Sequence, residues 1–544
     1  MAKLASYRWV GLVFVSMAIS LVIIDGTIVN TIFPSLIKAL DLSSTEVQWV
    51  QESYVLVFAS LLLVWGSIAD RIGRRLLLVI GILLFIGASV WCGVSDSAGS
   101  LIIARIVQGI GGSMVLPTTL SLVNANFQGR ERGIAFAVWG STIGGMVALG
   151  PVIGGWLATD FGVDGWRLAF NVNLPIGLVI VVGLLLFMAE SKVAQRGGGL
   201  DVLGAALSVV MFLTLVFGLI EGRAYGWWNA KADNPFTLGD FKWPTDGISV
   251  IPVSLAISAV FFVLFALWEK HRERQHKNVL LDLDLFKIAS FRNGSIAALI
   301  ISMGEFGVLF ALPLWLQNVQ GLSPVSSGLV LLWLAGGAFL ASGAGGAMSG
   351  KVSPAMAVRV GVLLELIGVV SVGFAVGSDS GWGWLAPGLL LYGIGVGLAT
   401  AQLTGVIMVD VPIEKAGQGS GSQSTVRQIG SALGIAVLGT MLFTATQSSL
   451  ETKLNAMDIY GEQQSAVVKV VVDSAGGAIP MLESSLVGQK VPQEIAHNIA
   501  VASGEAFSEG ARWTAIGAAI FLLLGFASTF NLGSRKRKDS LPDA

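Results

Sequence analysis

Residues 66–75 read GSIADRIGRR and close an apolar run near 50–69. Glycine has no side chain, so a glycine near the end of a helix lets a neighbouring helix approach closely. The acid and the arginines that follow can join helix ends through charged hydrogen bonds. An ordinary basic loop is the alternative, but the spacing G-x-x-x-D-R-x-G-R-R favours a latch between helices. The residues of this loop motif are Gly66, Asp70, Arg71, Gly73 and Arg74.

The composition around this motif is that of a membrane protein. The 544 residues are 54% hydrophobic and 12% charged, with a mean hydropathy of +0.77, whereas soluble proteins carry roughly 25% charged residues. A net charge of −1 argues against a nucleic-acid partner, which needs a basic surface. The single cysteine, Cys92, cannot form an internal disulfide, and the three histidines all lie in polar stretches, so the sequence shows no histidine-based metal cluster.

The apolar runs predict the number of membrane spans. A spanning helix needs about 20 mainly apolar residues. Fourteen candidates lie near 10–30, 50–69, 77–94, 101–124, 134–158, 168–189, 201–221, 248–268, 294–316, 325–348, 356–377, 384–410, 425–446 and 508–531. With the N-terminus inside, 22 of the 33 Lys and Arg residues fall in inner segments and nine in outer segments. Because Lys and Arg favour the cytoplasmic side, we expect fourteen spans with both termini inside.

Two outer segments interrupt the succession of spans. Residues 222–247 form a polar loop with tryptophans suited to the membrane interface, and residues 447–507 form a long loop with some helical patterning. Neither has the length or the core of a separate catalytic domain. The predicted fold class is an all-α polytopic membrane protein.

The fourth span carries a charge inside the membrane. Leu101, Arg105, Gln108, Gly109 and Gly112 share one helical face. An arginine inside a span costs about 2.5–3.5 kcal/mol on insertion scales, so Arg105 should face the bundle interior or a wet cavity. A snorkelling arginine near the outer end is the alternative.

The fifth span is rich in small residues. Gly140, Gly144 and Ala148 recur every four positions, which lets two helices pack backbone to backbone. Packing alone would explain this spacing. The ending G-P-x-x-G-G adds a proline that bends or hinges the helix. Its residues are Gly150, Pro151, Gly154 and Gly155.

These three motifs, in this order and in these spans, resemble the signature motifs of the major facilitator superfamily. Two further stretches are similar to those of its fourteen-span drug:proton antiporters, the DHA2 family of QacA/EmrB-type multidrug efflux transporters: Asp25-Gly-Thr27-Ile-Val-Asn30 before Pro34, and Trp166-Arg167 before Asn173-Leu-Pro175-Ile-Gly177. The resemblance covers nearly the whole chain. One departure is the repeat of the loop motif after span ten, which reads Gly346-Ala-Met-Ser-Gly350-Lys351 without its acid.

The resemblance implies a major facilitator fold of 14 helices in a 6 + 2 + 6 arrangement. The domains expected from it are an N-terminal six-helix bundle at 1–190, two extra central helices with a cytoplasmic linker at 191–290, and a C-terminal six-helix bundle at 291–544 that includes the loop 447–507. The implied driving force is a proton gradient, with no cofactor.

Acids within the spans are the candidates for proton coupling. The resemblance places a proton or cation site at Asp25, although a structural carboxylate paired to Arg105 or Arg427 is the alternative. Glu305 has no partner nearby in sequence, and intramembrane acids are functional by default. Glu365 follows the same logic. We expect Asp25, Glu305 and Arg105 to couple protons.

The same acids and their neighbours are the candidates for substrate binding. Aromatic faces beside an acid suit a lipophilic cation through cation–π attraction, although most such rings face lipid. Glu52 resembles an extra acid of cation exporters, with a role lining the mouth as the alternative, and Gln428 resembles a residue lining the inner half, with helix packing as the alternative. The predicted set is Asp25, Glu52, Glu305, Glu365, Phe306, Phe310, Gln108 and Gln428.

Two functions compete. The first is a proton-coupled antiporter that exports lipophilic, preferentially cationic, drugs or toxic compounds across a bacterial cytoplasmic membrane by alternating access. The second is an exporter or flippase of a lipid or glycolipid envelope precursor. The sequence has no nucleophile–base pair, metal cluster or P-loop, so an enzyme or an ATP-driven pump is not expected. The expected partners are a small-molecule substrate, protons and membrane lipids, around a monomer.

Overall fold

The computed structural model describes residues 7–42, 44–161, 164–192, 199–232, 234–238, 241–348, 352–377 and 381–532. Long helices dominate the described chain. They are α1 Arg8–Leu40, α2 Ser44–Ile72, α3 Arg74–Val94, α4 Ala98–Asn126, α5 Gly129–Asp160, α6 Gly165–Phe187, α7 Val202–Ile220, α8 Val250–Arg274, α9 Ala289–Asn318, α10 Pro324–Met348, α11 Pro354–Ala375, α12 Leu385–Met408, α13 Ala416–Asn455 and α14 Gln493–Ser528.

Thirteen of the described helices are long and apolar enough to cross a membrane. The helix outside this group is α5, which covers the predicted span 134–158 and is 32 residues long. The multi-pass, helical membrane fold is confirmed, while the total of fourteen spans and the sides of the termini stay predictions. The strands described are the antiparallel pair Thr237–Leu238 and Phe241–Lys242 in the loop 222–247.

The helices pack into two bundles with a pair between them in sequence. In the first half, α1 packs on α5, and α2 packs on α4. In the second half, α9 packs on both α13 and α14, and α11 packs on α12. The halves meet where α5 packs on α10 and α12, and where α2 packs on α13. Helices α7 and α8 pack on each other, and α7 also touches both α2 and α13. The accessory pair therefore lies along one seam between the halves.

The glycines of α5 are sites of close helix contact. A Cβ at Gly150 would overlap the hydroxyl of Thr27 on α1, and Gly154 packs against the same helix. Gly155 packs against α10, so neighbouring positions of α5 contact both halves. Pro151 lies inside this helix without ending it. The predicted small-residue packing is present, and the hinge role stays a prediction.

The long outer loop contains two short helices, Gly461–Asp473 and Ile479–Gly488. Arg223, which follows α7, donates to the Val472 carbonyl and lies over the Phe443 ring of α13. Burial lowers the pKa of Arg223 to about 10, so the side chain remains charged at neutral pH. The accessory pair is thereby joined to the outer loop.

The loop motif joins the two halves through Asp70. Its carboxylate accepts hydrogen bonds from the Arg74 side chain, at 2.7 and 3.1 Å, and from the backbone N–H groups of Gly417 and Gln418, at 2.9 to 3.2 Å. Those N–H groups belong to the first turn of α13. Backbone N–H groups there have no intrahelical acceptor, and the helix dipole favours a negative charge beside them. Arg74 also donates to the Ile413 carbonyl at 2.7 Å. The acid of one half therefore caps a helix of the other.

The remaining residues of the loop motif shape this contact. A Cβ at Gly66 would lie 2.5 Å from the Gly417 carbonyl oxygen, so glycine is required for α2 and α13 to approach this closely. Gly73 has φ +121°, a backbone conformation that side chains disfavour. Arg71 donates to the Gly199 carbonyl at 3.0 Å. The predicted weaker repeat ends at positions 349–351, which lie outside the described residues.

Asp70→Asn should weaken the contact between α2 and α13. Asparagine is neutral and cannot accept from Arg74 and two N–H groups equally well, and each charge-assisted hydrogen bond contributes about 1.5–3 kcal/mol. Ser420 is fully buried in α13 near this contact. Cys92→Ser removes the single native thiol, and a cysteine introduced by Ser420→Cys can react with a maleimide only when the contact opens. We expect Asp70→Asn to speed maleimide labelling of that thiol in purified protein by about tenfold or more.

The matched control is Glu414→Gln, which neutralises an exposed acid next to Ile413. Equal labelling rates in the Asp70→Asn protein and the control would contradict the latch.

Candidate functional site

The first candidate site surrounds Asp25, which is fully buried in α1. Its Oδ2 accepts from Arg105 Nη1 of α4 at 2.7 Å. Its Oδ1 accepts from Gln108 Nε2 at 2.8 Å and from Asn173 Nδ2 of α6 at 2.9 Å. Ser89 of α3 accepts from the Asn173 amide at 2.9 Å. One carboxylate therefore ties three helices of the first half together and is satisfied by three donors.

Arg105 lies inside the bundle and does not snorkel. Its side chain is fully buried, and its guanidinium lies 4.2 Å from the centre of the Tyr54 ring. Its Nε donates to the Val50 carbonyl at 3.2 Å, while Nη2 has no hydrogen-bond partner. The shared face of α4 predicted from the sequence thus points at α1 and α2. Since the acid and the arginine cancel in charge, this group of residues is neutral.

The second candidate site surrounds Glu305 in α9 of the other half. Arg427 Nη2 of α13 donates to Glu305 Oε2 at 3.2 Å, and Thr400 Oγ of α12 donates to Oε1 at 3.3 Å. The Tyr392 hydroxyl donates to the Glu305 backbone carbonyl at 2.9 Å. This acid is thus paired too, but with fewer and longer hydrogen bonds than Asp25.

Glu365 in α11 lies beside this pair and is fully buried. Neither of its carboxyl oxygens has a hydrogen-bond partner. Gly395 of α12 packs on it, because a Cβ there would lie 2.7 Å from Glu365 Cγ. Glu305 and Arg427 are the charged groups that act on it. An unpaired buried carboxylate costs many kcal/mol, so the neutral, protonated acid fits this environment.

Small cavities adjoin Glu305 and Arg427. A cavity of about 30 Å³ lies between the halves, since α5 contributes to its wall together with α9, α10, α12 and α13. A second cavity of about 10 Å³ is also lined by Glu305 and Arg427. The larger cavity is lined by Gly140, Ile143, Glu305, Phe306, Leu309, Leu334, Tyr392, Val396, Thr400 and Arg427.

The other predicted substrate residues are dispersed. Phe306 lines the larger cavity, whereas Phe310 packs edge-to-face on Phe443 with ring centres 6.5 Å apart. Gln428 is partly buried. Gln108 belongs to the Asp25 group, where its amide is already hydrogen-bonded. Glu52 lies apart from both groups, where α2 meets α7.

Sequence reasoning missed several partners of these acids. Arg427 had been weighed as a partner of Asp25, whereas the structure pairs it with Glu305. Asn173 was noted only as part of a motif, and its polar amide within the predicted span 168–189 was the signal for its role. Thr400 and Tyr392 stand in an apolar helix with no distinguishing spacing, so no sequence signal pointed to them.

Known proteins resemble this chain in both sequence and fold. A family model described as the Major Facilitator Superfamily matches residues 15–435. The probable actinorhodin transporter of Streptomyces coelicolor is 32% identical over 80% of this chain and 72% of its own length. The multidrug resistance protein Stp of Mycobacterium tuberculosis is 30% identical over 86% of this chain and 83% of its own length.

Among solved structures, the human organic anion transporter MFSD10 (TETRAN) superposes with a TM-score of 0.59 at 12% identity, covering 96% of this chain and 99% of that one. At this identity the likeness concerns the fold alone. The family resemblance recognised from the three motifs is confirmed by the family model and by the two relatives. The chain belongs to the Major Facilitator Superfamily and is a multi-pass membrane transporter, not an enzyme.

Proposed function

We propose that this transporter exports lipophilic cations in exchange for protons, by alternating access between its two halves. The observation that carries the proposal is the buried group Glu305, Arg427 and Glu365, of which Glu305 and Arg427 line a small cavity at the interface between the halves. The relatives, named for an antibiotic transporter and a multidrug resistance protein, support a drug as the cargo and do not favour the lipid-precursor alternative. Fourteen spans, inner termini, a bacterial cytoplasmic membrane and a monomer complete the proposal.

Charge balance in the buried group explains why a cation would exchange for a proton. With Glu365 protonated, the negative Glu305 and the positive Arg427 cancel. A bound cation would add a positive charge, and loss of the Glu365 proton would restore neutrality. A cation without proton loss, or proton loss without a cation, would leave an uncompensated charge in a low-dielectric cavity, which is costly. The two neutral states are therefore the favoured ones, and moving between them is antiport.

The proton gradient would supply the energy. Moving one charge across 100 mV is worth about 2.3 kcal/mol. An exchange of one proton for one monovalent cation moves no net charge, so it is driven by the pH difference alone. A second proton per cycle would add the membrane potential.

The Asp25 group would act as the switch of the first half. Its carboxylate holds α4 and α6 to α1 while it is charged. A proton on Asp25 would cancel its attraction to Arg105 and weaken its bonds to both α4 and α6. Protonation could thus change how these helices pack, which is what a rocking movement requires.

Asp25→Asn should abolish ΔpH-driven transport of tetraphenylphosphonium in vesicles. The single variant leaves Arg105 buried and unpaired, a defect that costs about 3–5 kcal/mol, so it also tests folding. The double variant Asp25→Asn/Arg105→Gln removes both charges and should recover the thermal stability but not the transport. Normal coupled transport by the double variant would refute the role of Asp25.

Glu365→Gln should weaken binding of tetraphenylphosphonium to the purified protein by about tenfold or more, which is about 1.4 kcal/mol. Glutamine mimics the protonated acid and cannot lose its proton, so the bound cation would stay uncompensated. Binding to the wild type should strengthen as pH rises, and binding to the variant should not.

The control is Glu494→Gln, which neutralises an exposed acid at the start of α14. A Glu365→Gln protein that binds the cation with wild-type affinity and pH dependence would exclude the exchange at this acid.

A further inference from the structure

A second pair of acids lies between the core and the accessory helices. Gln48 Nε2 donates to Glu52 Oε1 at 3.0 Å and to Glu221 Oε2 at 2.9 Å. Gln48 and Glu52 stand one turn apart in α2, and Glu221 directly follows α7. One side-chain amide is therefore shared by two carboxyl groups from different helices. The sequence had singled out Glu52 but not Glu221.

The other oxygen of each acid has no hydrogen-bond partner. Glu221 is fully buried, and its Oε1 is unpartnered, as is the buried Oε2 of Glu52. The surroundings are apolar, since Trp49 stacks on Phe217 with ring centres 6.5 Å apart at 17°. Two unsatisfied carboxyl oxygens in such a setting indicate a missing positive charge or a missing proton.

No cation of the described residues forms an ion pair with either acid within 4.0 Å. Arg223 is the nearest base along the chain to Glu221, and it is bonded to the outer loop. Glu46, six residues before Glu52 in α2, and Tyr225, four residues after Glu221, are the other titratable groups close in sequence. The outer part of α13, from Arg427 to Glu451, contains no ionisable residue between these two, and neither does α8 before Glu269.

We propose that Glu52 and Glu221 form a proton-binding site on the predicted outer side, completed by the accessory helix α7, which holds one proton shared by the pair. Two carboxylates that share one donor in an apolar setting cannot both stay charged. A single proton makes one acid a donor and leaves the other a carboxylate, which gives the unsatisfied oxygens a hydrogen-bonding role. A second proton would neutralise the remaining carboxylate, whose charge the hydrogen bond from Gln48 stabilises, so the pair holds one proton and not two.

One hydrogen bond connects the neighbour of Glu52 with the neighbour of Asp25. Gln51, next to Glu52, donates to the Gly26 carbonyl of α1 at 3.4 Å, and Gly26 follows Asp25. A proton arriving from the predicted outer side could therefore reach this pair ahead of Asp25. The use of that proton in transport rests on the proposed function, whereas its presence at the pair does not.

Infrared difference spectra of the purified protein at pH 7 test the site. Subtracting the spectrum of Glu221→Gln from that of the wild type should reveal the carbonyl band of one protonated carboxyl group. Glu52→Gln should remove the same single band, because the remaining acid can accept hydrogen bonds from the Gln48 amide and from the introduced amide and so becomes a carboxylate. The double variant should also lose one band and not two, since the proton belongs to the pair.

Asp164→Asn is the control, because that carboxylate is 85% exposed and should contribute no such band. Loss of no band in Glu221→Gln, or loss of two in the double variant, would overturn the proposal. Glutamine keeps the size of the side chain, and a melting curve of each variant verifies folding. A wild type that shows the band but no ΔpH-driven export would refute the proposed function and leave the proton site intact.

Discussion

The ion pair between Asp25 and Arg105 shows the constraint that governs the buried charges of this molecule, which is that each must be neutralised. A charge inside a bundle of membrane helices has no water to stabilise it, so it must meet its opposite or lose its charge. Asp25 and Arg105 come from α1 and α4, and their 2.7 Å contact fixes how these helices face each other. Glu305 with Arg427 and Asp70 with Arg74 obey the same condition elsewhere. The polar framework of this transporter is a small set of neutralised charges that each join separate helices or halves.

The two halves neutralise their buried charges differently, and this difference bears on the proposed exchange of a cation for a proton. The first half uses one acid and one arginine with a full set of donors. The second half places two buried acids near one arginine, so this group has no net charge only when one of the acids is protonated. A buried group with one acid in excess is an arrangement in which a cation can replace a proton without changing the total charge. The first half has no such excess among its described buried groups around Asp25, which suits it to switching and not to exchange.

The sequence predicted the features that depend on local pattern. Apolar length locates the spans, and the loop motif at 66–75 locates a contact between halves, because its glycine and acid are needed for one backbone approach. Helix limits were harder to predict: α13 begins at Ala416 and ends at Asn455, beyond the predicted 425–446, since its polar first turns pack against α2 instead of leaving the helix. Pairings across the chain were not predictable. Arg427 and Glu305 are 122 positions apart, and no spacing rule joins them.

The accessory pair is connected to this framework by the same kind of contact. Helix α7 touches both α2 and α13, so it covers the seam that the Asp70 latch closes. If the halves rock, α7 cannot keep both contacts unchanged. Its contact with α2 includes the partly buried hydrogen bond from Gln48 to Glu221, which directly follows α7, whereas the contact between α7 and α13 is less extensive. Hydrogen bonds buried in an apolar setting are costly to leave unmade, so α7 would move with the first half and slide along α13. The acids at this junction then determine how firmly the accessory pair is held. Their protonation follows the rule that applies to the core, where a buried charge must be paired or neutralised.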